Sequence, residues 1–162
     1  MTGKTSIPRR ILLDINLLFN DFLFRNPTYA RSQTDIEIKN RLFASQAINY
    51  IRQQRHFNTF VADFSVAKMI SLMDSIKVKK DLQIEEIQNL VDKNTIVSLG
   101  GNLIKNTLEE FKNNPFVKDM EDALQFTVSR KHKCTHIVTF NKKDFAPFDV
   151  QIVLPSKVRG II

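Results

Sequence analysis

The sequence predicts an α/β fold with a mainly parallel, five-stranded sheet that is covered by helices on both faces. Five short apolar runs alternate with longer segments whose apolar residues recur at helical spacing. Strands that alternate with helices are typical of parallel sheets, because each crossover helix covers the sheet that it connects. No internal repeat, low-complexity tract or linker divides the 162 residues, so we predict a single domain over residues 1–162.

The predicted strands are buried runs rich in β-branched and aromatic residues. The first follows Pro8, Gly100 and Gly101 interrupt the chain after the third, and Pro155 closes the fifth. The strands cover residues 11–15, 57–62, 95–99, 136–139 and 150–154.

The predicted helices lie between these strands and each bury one face. The last is the clearest, because Met120, Ala123, Leu124, Thr127 and Val128 share one face. Right-handed connections between parallel strands place such helices on both sides of the sheet. The helices cover residues 35–55, 64–73, 81–92, 102–112 and 116–131.

The chain is basic, with 24 Lys and Arg against 17 Asp and Glu, a net charge of +7 and a pI near 9.6. This charge favours a polyanionic partner, since counterions released from phosphates drive binding, although ordinary solubility is the alternative. The single Cys134 excludes an internal disulfide framework and a Cys-only zinc site. We expect a cytoplasmic protein, because no apolar run is long enough to span a membrane and the polar segment up to Arg10 is no secretory signal.

Asp14 ends the first predicted strand, and Asn16 follows two residues later. A carboxylate directly after a buried run is costly to bury without a partner, which indicates a functional site. The alternative is structural, since Asp14 could cap a short helix through residues 17–19.

Two further polar clusters follow later in the chain. Asp119 and Asp122 lie three residues apart, on one face of the last predicted helix, although acids in a first helical turn also serve as caps. Thr139, Asn141 and Asp144 follow the fourth strand, where Asn and Asp are also turn formers.

All three clusters map to one edge of the predicted sheet, where parallel α/β proteins bind ligands. Carboxylates gathered at one site repel each other and require a cation, and oxygen ligands suit Mg²⁺ or Mn²⁺. Such a metal, bound to a phosphodiester, activates water and stabilises the leaving oxygen. The sequence therefore predicts a metal site that acts on nucleic acid.

Three segments resemble motifs of PIN-domain proteins. Residues 11–16 resemble the opening motif of that family, residues 119–125 its third acidic motif and residues 136–145 its fourth, while residues 153–155 match its usual last strand. The resemblance covers nearly the whole chain in the expected order. It implies a Rossmann-like three-layer sandwich and Mg²⁺- or Mn²⁺-dependent cleavage of RNA. Many bacterial members are VapC-like toxins of toxin–antitoxin pairs.

The resemblance also implies roles for individual residues. The implied metal ligands are Asp14 and Asp122, joined by Asn141, which stands where many members have a fourth Asp. The implied catalytic acids are Asp14, Asp119, Asp122 and Asp144.

Four further residues are implied as support for the site. Asn16 and Thr139 would orient ligands or water. Lys68 occupies the position where the family usually has a Glu, and a protonated lysine cannot ligate a metal. Asp63 could replace that Glu, Lys68 could contact the scissile phosphate, or the site could be partly degenerate, and the sequence leaves these alternatives open.

We therefore expect a metal-dependent endoribonuclease that binds RNA, with an antitoxin protein as partner and a homodimer formed through a helical face near Phe19 to Phe24. The alternative is a degenerate PIN-like module that binds RNA or a partner protein without cleavage. A dehalogenase-like phosphatase is disfavoured, because Asn16 and Leu18 replace the Asp and Thr of its opening motif.

Overall fold

The computed structural model describes residues 9–31, 34–113, 115, 119–143, 145 and 150–161. Within these residues, five strands form one parallel sheet in the order β3-β2-β1-β4-β5. The strands are β1 (Arg9–Leu13), β2 (Phe57–Ala62), β3 (Thr95–Val97), β4 (His136–Val138) and β5 (Gln151–Val153).

The described residues also form seven α-helices. The predicted bounds of strands β2 to β5 and of helices α2 to α5 agree with the structure to within two residues at each end. The helix α2 begins at a capping box, in which Thr34 and Glu37 each bond the other's backbone N–H. The helices are α1 (Ile15–Arg25), α2 (Asp35–Gln53), α3 (Asp63–Ser75), α4 (Lys80–Lys93), α5 (Gly101–Asn113), α6 (Met120–Lys131) and α7 (Val158–Ile161).

The sheet separates two hydrophobic cores. Successive residues of β1 point to opposite faces. Ile11 and Leu13 therefore belong to one core with Ile48 of α2, while Leu12 belongs to the other with Phe126 of α6. The sheet between two helical layers makes a three-layer α/β sandwich, so the predicted fold class is confirmed.

The strand order changes direction at β1. The chain proceeds from β1 to β2 and β3 on one side, then crosses to β4 and β5 on the other side. Leu13 of β1 is paired with Val138 of β4, and both strands end there. The switch point lies at the carboxyl ends of β1 and β4, which is where parallel α/β sheets bind ligands.

The helix α1 begins earlier and is longer than predicted. The first predicted strand includes Ile15, and the alternative is a short helix at residues 17–19, but Ile15 starts an 11-residue helix. Ile15, Leu18 and Phe22 recur at helical spacing and are all buried, so burial of this face favours a helix over a longer strand. Asp14 is thus the single residue between β1 and α1.

The helix α6 begins later than the predicted start at residue 116. Asp119 has an extended backbone, with φ −119° and ψ 125°, and forms the N-cap of a helix that starts at Met120. Its side chain accepts a hydrogen bond from the Glu121 backbone N–H at 2.7 Å. Capping of the free N–H groups fixes the helix start at this point.

An ion-pair network joins α1 to α4. Arg25 donates to both carboxylate oxygens of Glu86, at 2.6 and 2.8 Å, and to Asp21 at 3.1 Å. Both acids are buried, and the hydrogen bond to Glu86 raises the pKa of Arg25 above its ordinary value. One guanidinium therefore compensates two buried carboxylates.

Replacement of Arg25 by Met should lower the free energy of unfolding by about 3 kcal/mol, the low end for loss of one partner of a buried pair, because Arg25 is itself partly exposed. Urea denaturation at pH 7 measures this change. The exposed Arg55 provides a control, and its replacement by Met should change stability little. Equal stabilities of the two variants would contradict this account of the network.

Candidate active site

Asp14 lies at the switch point, directly after β1. Its backbone N–H donates to Val138 O of β4 at 3.2 Å, and its side chain is only 2% exposed. The residue occupies the N-cap position of α1, but its side chain forms no capping hydrogen bond. The carboxylate is therefore not used as a helix cap, which argues against the structural alternative.

Both carboxylate oxygens of Asp14 accept hydrogen bonds from buried neutral groups. Gln125 Nε2 of α6 donates to Oδ1 at 2.8 Å, and Thr139 Oγ1, just after β4, donates to Oδ2 at 2.7 Å. Among the described residues, no Lys or Arg forms an ion pair with Asp14. The hydrogen bonds hold the carboxylate in place without neutralising its charge.

The amide of Gln125 has only one favourable orientation. A carboxylate oxygen repels another oxygen, so the amide nitrogen faces Asp14 and Oε1 faces away. Oε1 is buried, and the described residues supply no donor to it. An unsatisfied buried acceptor costs about 1–3 kcal/mol, so such an atom requires an explanation.

Asp122 lies in the first turn of α6, three residues before Gln125. Residues at this spacing share one helix face, and both side chains are buried. The N-terminal end of a helix also favours negative charge. The helix α6 thus carries Asp122 on the same face as the amide that contacts Asp14.

Asp119 is placed differently from the expectation. It precedes the helix and is exposed, and its carboxylate accepts from the Glu121 backbone N–H. The expectation that Asp119 and Asp122 share one helix face is therefore wrong, because the N-cap residue lies outside the helical geometry, and the alternative, in which Asp119 caps the helix, is confirmed.

The side chains of Lys68 and Asp63 bind partners other than Asp14. Lys68 Nζ of α3 forms an ion pair with Glu121 of α6, and both side chains are partly exposed. The Asp63 carboxylate accepts from the backbone N–H groups of Phe64, at 2.7 Å, and Leu99, at 3.2 Å. Asp63 thus ties the end of β2 to the segment after β3.

Asn141 and Asn16 flank the centre of the site. The Asn141 backbone N–H donates to Thr139 Oγ1 at 3.0 Å, while its residue as a whole is exposed. Asn16 is half-buried in the first turn of α1, and its backbone oxygen accepts from Asn20 Nδ2 at 2.7 Å. Asp144 lies outside the described residues.

No protein-family model matches the chain. Ribonuclease VapC1 of Aquifex aeolicus (strain VF5) is 24% identical to it over 115 residues, which are 70% of this chain and 76% of that protein.

Solved structures of low sequence identity share the architecture. VapBC-1 of nontypeable Haemophilus influenzae superposes with a TM-score of 0.63 at 14% identity, over 91% of this chain and 99% of that chain. Mycobacterium tuberculosis VapC20, a sarcin–ricin loop cleaving toxin, gives a TM-score of 0.62 at 11% identity, over 85% of this chain and 95% of that chain. A toxin–antitoxin complex from Klebsiella pneumoniae gives 0.60 at 15% identity, over 90% and 97%.

The chain has the PIN-domain fold. The resemblance of its motifs to PIN-domain proteins is thereby confirmed. In the portion of this PIN fold that the structure describes, no helix is both long and apolar enough to cross a membrane.

The PIN fold brings together some of the predicted site residues and separates others. Thr139 contacts Asp14 directly, Asn141 contacts Thr139 through its backbone, and Asp122 lies one turn from the Gln125 that contacts Asp14. The described residues contain no group of three or more His, Cys, Asp or Glu side chains that could hold a metal.

Gln125 is the residue that our sequence analysis missed. It lies within the 119–125 motif, but an amide on a helix carries no chemical signal of its own. The signal that could have found it is its spacing of three residues from Asp122, which places it on the buried face of the same helix.

Cys134 and His136 lie at the opposite, amino-terminal end of β4. Burial raises the pKa of the Cys134 thiol to about 11. Burial also lowers the pKa of His136, with Arg9 adding to the effect. Neither side chain contributes to the site at the carboxyl edge of this PIN fold.

Replacement of Thr139 by Val should lower the free energy of unfolding by about 2 kcal/mol, because it removes the hydroxyl that donates to Asp14 and leaves a buried charge with one donor fewer. Thr139 is completely buried, and Val matches its shape. Replacement by Ser keeps the hydroxyl and should retain more stability than Val. Urea unfolding in EDTA measures both variants, and a Val variant as stable as the Ser variant would contradict the assignment.

Proposed function

We propose that the protein is a metal-dependent endoribonuclease that hydrolyses RNA phosphodiester bonds, with Asp14 at the centre of its active site. The observation that carries the proposal is the buried Asp14 carboxylate at the switch point, held on both oxygens by neutral donors. The similarity to Ribonuclease VapC1 supports the reaction class.

The residues around Asp14 fit a hard divalent cation. Asp14, Asp122 and the Asn141 side chain offer only oxygen ligands of the kind that Mg²⁺ and Mn²⁺ prefer, and Asp144 is proposed as a further acid. Mg²⁺ keeps several water ligands and binds through one or two carboxylates, so two acids suffice. When bound, the metal would supply an activated water and stabilise the leaving oxygen.

The chain's own residues would then perform three tasks. Asp14 and Asp122 hold negative charge at the carboxyl edge of the sheet, and Thr139 fixes the carboxylate of Asp14. Lys142 and Lys143 are exposed directly after Asn141, where they would bind the phosphate backbone of RNA.

Lys68 of α3 supports the same proposal. Its ion pair with Glu121 holds the ammonium next to the acidic first turn of α6. We therefore propose that Lys68 contacts a phosphate of the RNA, while Asp63, with its backbone partners, holds neighbouring loops in place.

A toxin of a toxin–antitoxin pair is the biological role that we propose. The similar Klebsiella pneumoniae structure is a toxin–antitoxin complex, and the similar VapC20 is a toxin. Ile38 and Leu42, four residues apart on one face of α2, are exposed and apolar, so this helix offers a surface to an antitoxin or to a second copy in a homodimer. The predicted dimer face lies on α1, where Phe22 is completely buried and Phe24 is exposed. We therefore propose that the apolar interface lies largely on α2.

A PIN-like module that binds RNA or a partner protein without cleavage is the second candidate. It is favoured by Lys68 at the position where the resemblance places a Glu. Its hallmark would be salt-dependent RNA binding without cleavage in any metal.

The deciding experiment is digestion of labelled single-stranded RNA in Mg²⁺, Mn²⁺ or EDTA. Wild type should cut only with metal. Asp14→Asn and Asp122→Asn should each lower the rate by at least about 100-fold, beyond the 10–100-fold typical of groups that only support a ligand. Asp92→Asn, at an exposed aspartate of α4, is the matched control and should keep wild-type activity.

The outcomes separate the two candidates. Cleavage by a folded Asp14→Asn protein would contradict the proposed site. If the RNA is bound but stays intact in Mg²⁺, in Mn²⁺ and in EDTA, the result would support the second candidate, a module that binds RNA without cleaving it.

Replacement of Lys68 by Met should weaken RNA binding and reduce the slope of log affinity against log salt by about 1, because one phosphate contact is lost. Fluorescence anisotropy in EDTA measures binding separately from cleavage. Lys80→Met, at an exposed lysine of α4, is the control and should keep the wild-type slope. An unchanged slope for Lys68→Met would leave Lys68 as a structural partner of Glu121 alone.

A further inference from the structure

We infer that Gln125 is a positioning residue for Asp14, an inference that rests on the proposed function. Its Nε2 lies 2.8 Å from Asp14 Oδ1, and the residue is 1% exposed. Gln125 would act on the reaction only through Asp14, by fixing the direction in which that carboxylate presents its oxygens to a cation.

Three separate elements meet at this carboxylate. Asp14 follows β1, Thr139 follows β4, and Gln125 comes from the middle of α6. Each carboxylate oxygen receives one hydrogen bond, so rotation of the carboxylate about its last bond would break both bonds at once. The plane of the carboxylate is therefore set by the packing of α6 against the sheet.

A neutral hydrogen-bond donor is the only common type of side chain that can fix the plane of the Asp14 carboxylate without weakening the binding of a cation to it. A Lys or Arg at position 125 would neutralise Asp14 and compete with a metal ion for its oxygens. A carboxylate at this position would repel Asp14 unless one of the two took up a proton. The amide donates a hydrogen bond and leaves the full negative charge available.

The unpaired Oε1 argues against a role in packing alone. If position 125 served only to fill the core, an apolar side chain of similar size would do so without burying an unsatisfied acceptor. The chain instead retains an amide whose nitrogen is used and whose oxygen has no donor among the described residues. The polar group is thus placed for its contact with Asp14.

Outer groups that orient a ligand carboxylate influence metal affinity as well as rate, typically by 10–100-fold. Removing the Gln125 donor should therefore free the carboxylate of Asp14 to rotate and weaken its hold on the metal. Metal affinity can be measured without RNA, so this effect is separable from catalysis.

The test is calorimetric titration of Mn²⁺ into the 162-residue protein and its Gln125→Met variant. Met keeps the unbranched shape of Gln but donates no hydrogen bond. We expect the Kd for Mn²⁺ to rise by about 10–100-fold. Gln83→Met is the matched control, because Gln83 Nε2 donates to Asp74 Oδ1 at 2.9 Å on the exposed surface of the molecule. The control should bind Mn²⁺ as wild type does.

Cleavage of RNA at increasing Mn²⁺ provides a second readout. A positioning defect should be offset by added metal, so the rate of Gln125→Met should recover towards wild type at high Mn²⁺. Urea unfolding in EDTA identifies a folding defect separately, because added metal can also restore a destabilised native state. If Gln125→Met does not fold, Gln125→Asn replaces it, since the shorter amide stays polar but is withdrawn from Asp14.

Each outcome is decisive. An unchanged Mn²⁺ affinity in a folded variant overturns the inference and leaves the proposed function standing. An equal loss of affinity in Gln83→Met also overturns it, because the effect would then be general. A wild-type protein that binds no Mn²⁺ overturns the proposed metal-dependent function and the inference with it.

Discussion

The burial of one negative charge at the switch point of the sheet is the constraint around which the site is organised. Asp14 follows the central strand, has almost no contact with solvent and is held by an amide from one helix and a hydroxyl from the neighbouring strand end. An uncompensated buried charge costs free energy, so the Gln125 amide and the Thr139 hydroxyl are both used as hydrogen-bond donors to it. The position of α6 against the sheet, and of the segment after β4, is thereby linked to the orientation of this carboxylate.

The parallel topology brings these groups together from distant parts of the chain. Asp14 and Gln125 are 111 residues apart in sequence, and Asp14 and Thr139 are 125 apart. Parallel strands all end at the same edge, so short segments after β1 and β4 meet although a long chain lies between them. The carboxyl ends of β2 and β3 have a structural contact instead, because Asp63 joins the end of β2 to the segment after β3.

Much of this arrangement could be predicted from residue patterns. Apolar runs and helical periodicity located the strands and most helices, and the positions of polar residues at strand ends placed Asp14 and Thr139 at one edge of the sheet, where their side chains are in contact. What could not be predicted depends on three-dimensional packing. The helix start at Met120 depends on local backbone geometry, although a cap formed by an acid of this segment was one of the two predicted alternatives. The ion pair of Lys68 with Glu121 joins two helices that the sequence does not place side by side. Gln125 was not predicted, because an amide in a helix indicates a site only once the structure shows that it contacts a carboxylate such as Asp14.

The direct passage from β1 to α1 has a consequence for how this protein can vary. A single residue, Asp14, separates the last strand position from the first helical one. Each residue of a helix advances it by about 100°, so one inserted residue here would rotate the buried side of α1 towards solvent while also displacing the carboxylate. Loops elsewhere can change length without such effects. The number of residues between β1 and α1 is therefore constrained. The one residue that joins these two core elements is also the residue that carries the buried carboxylate.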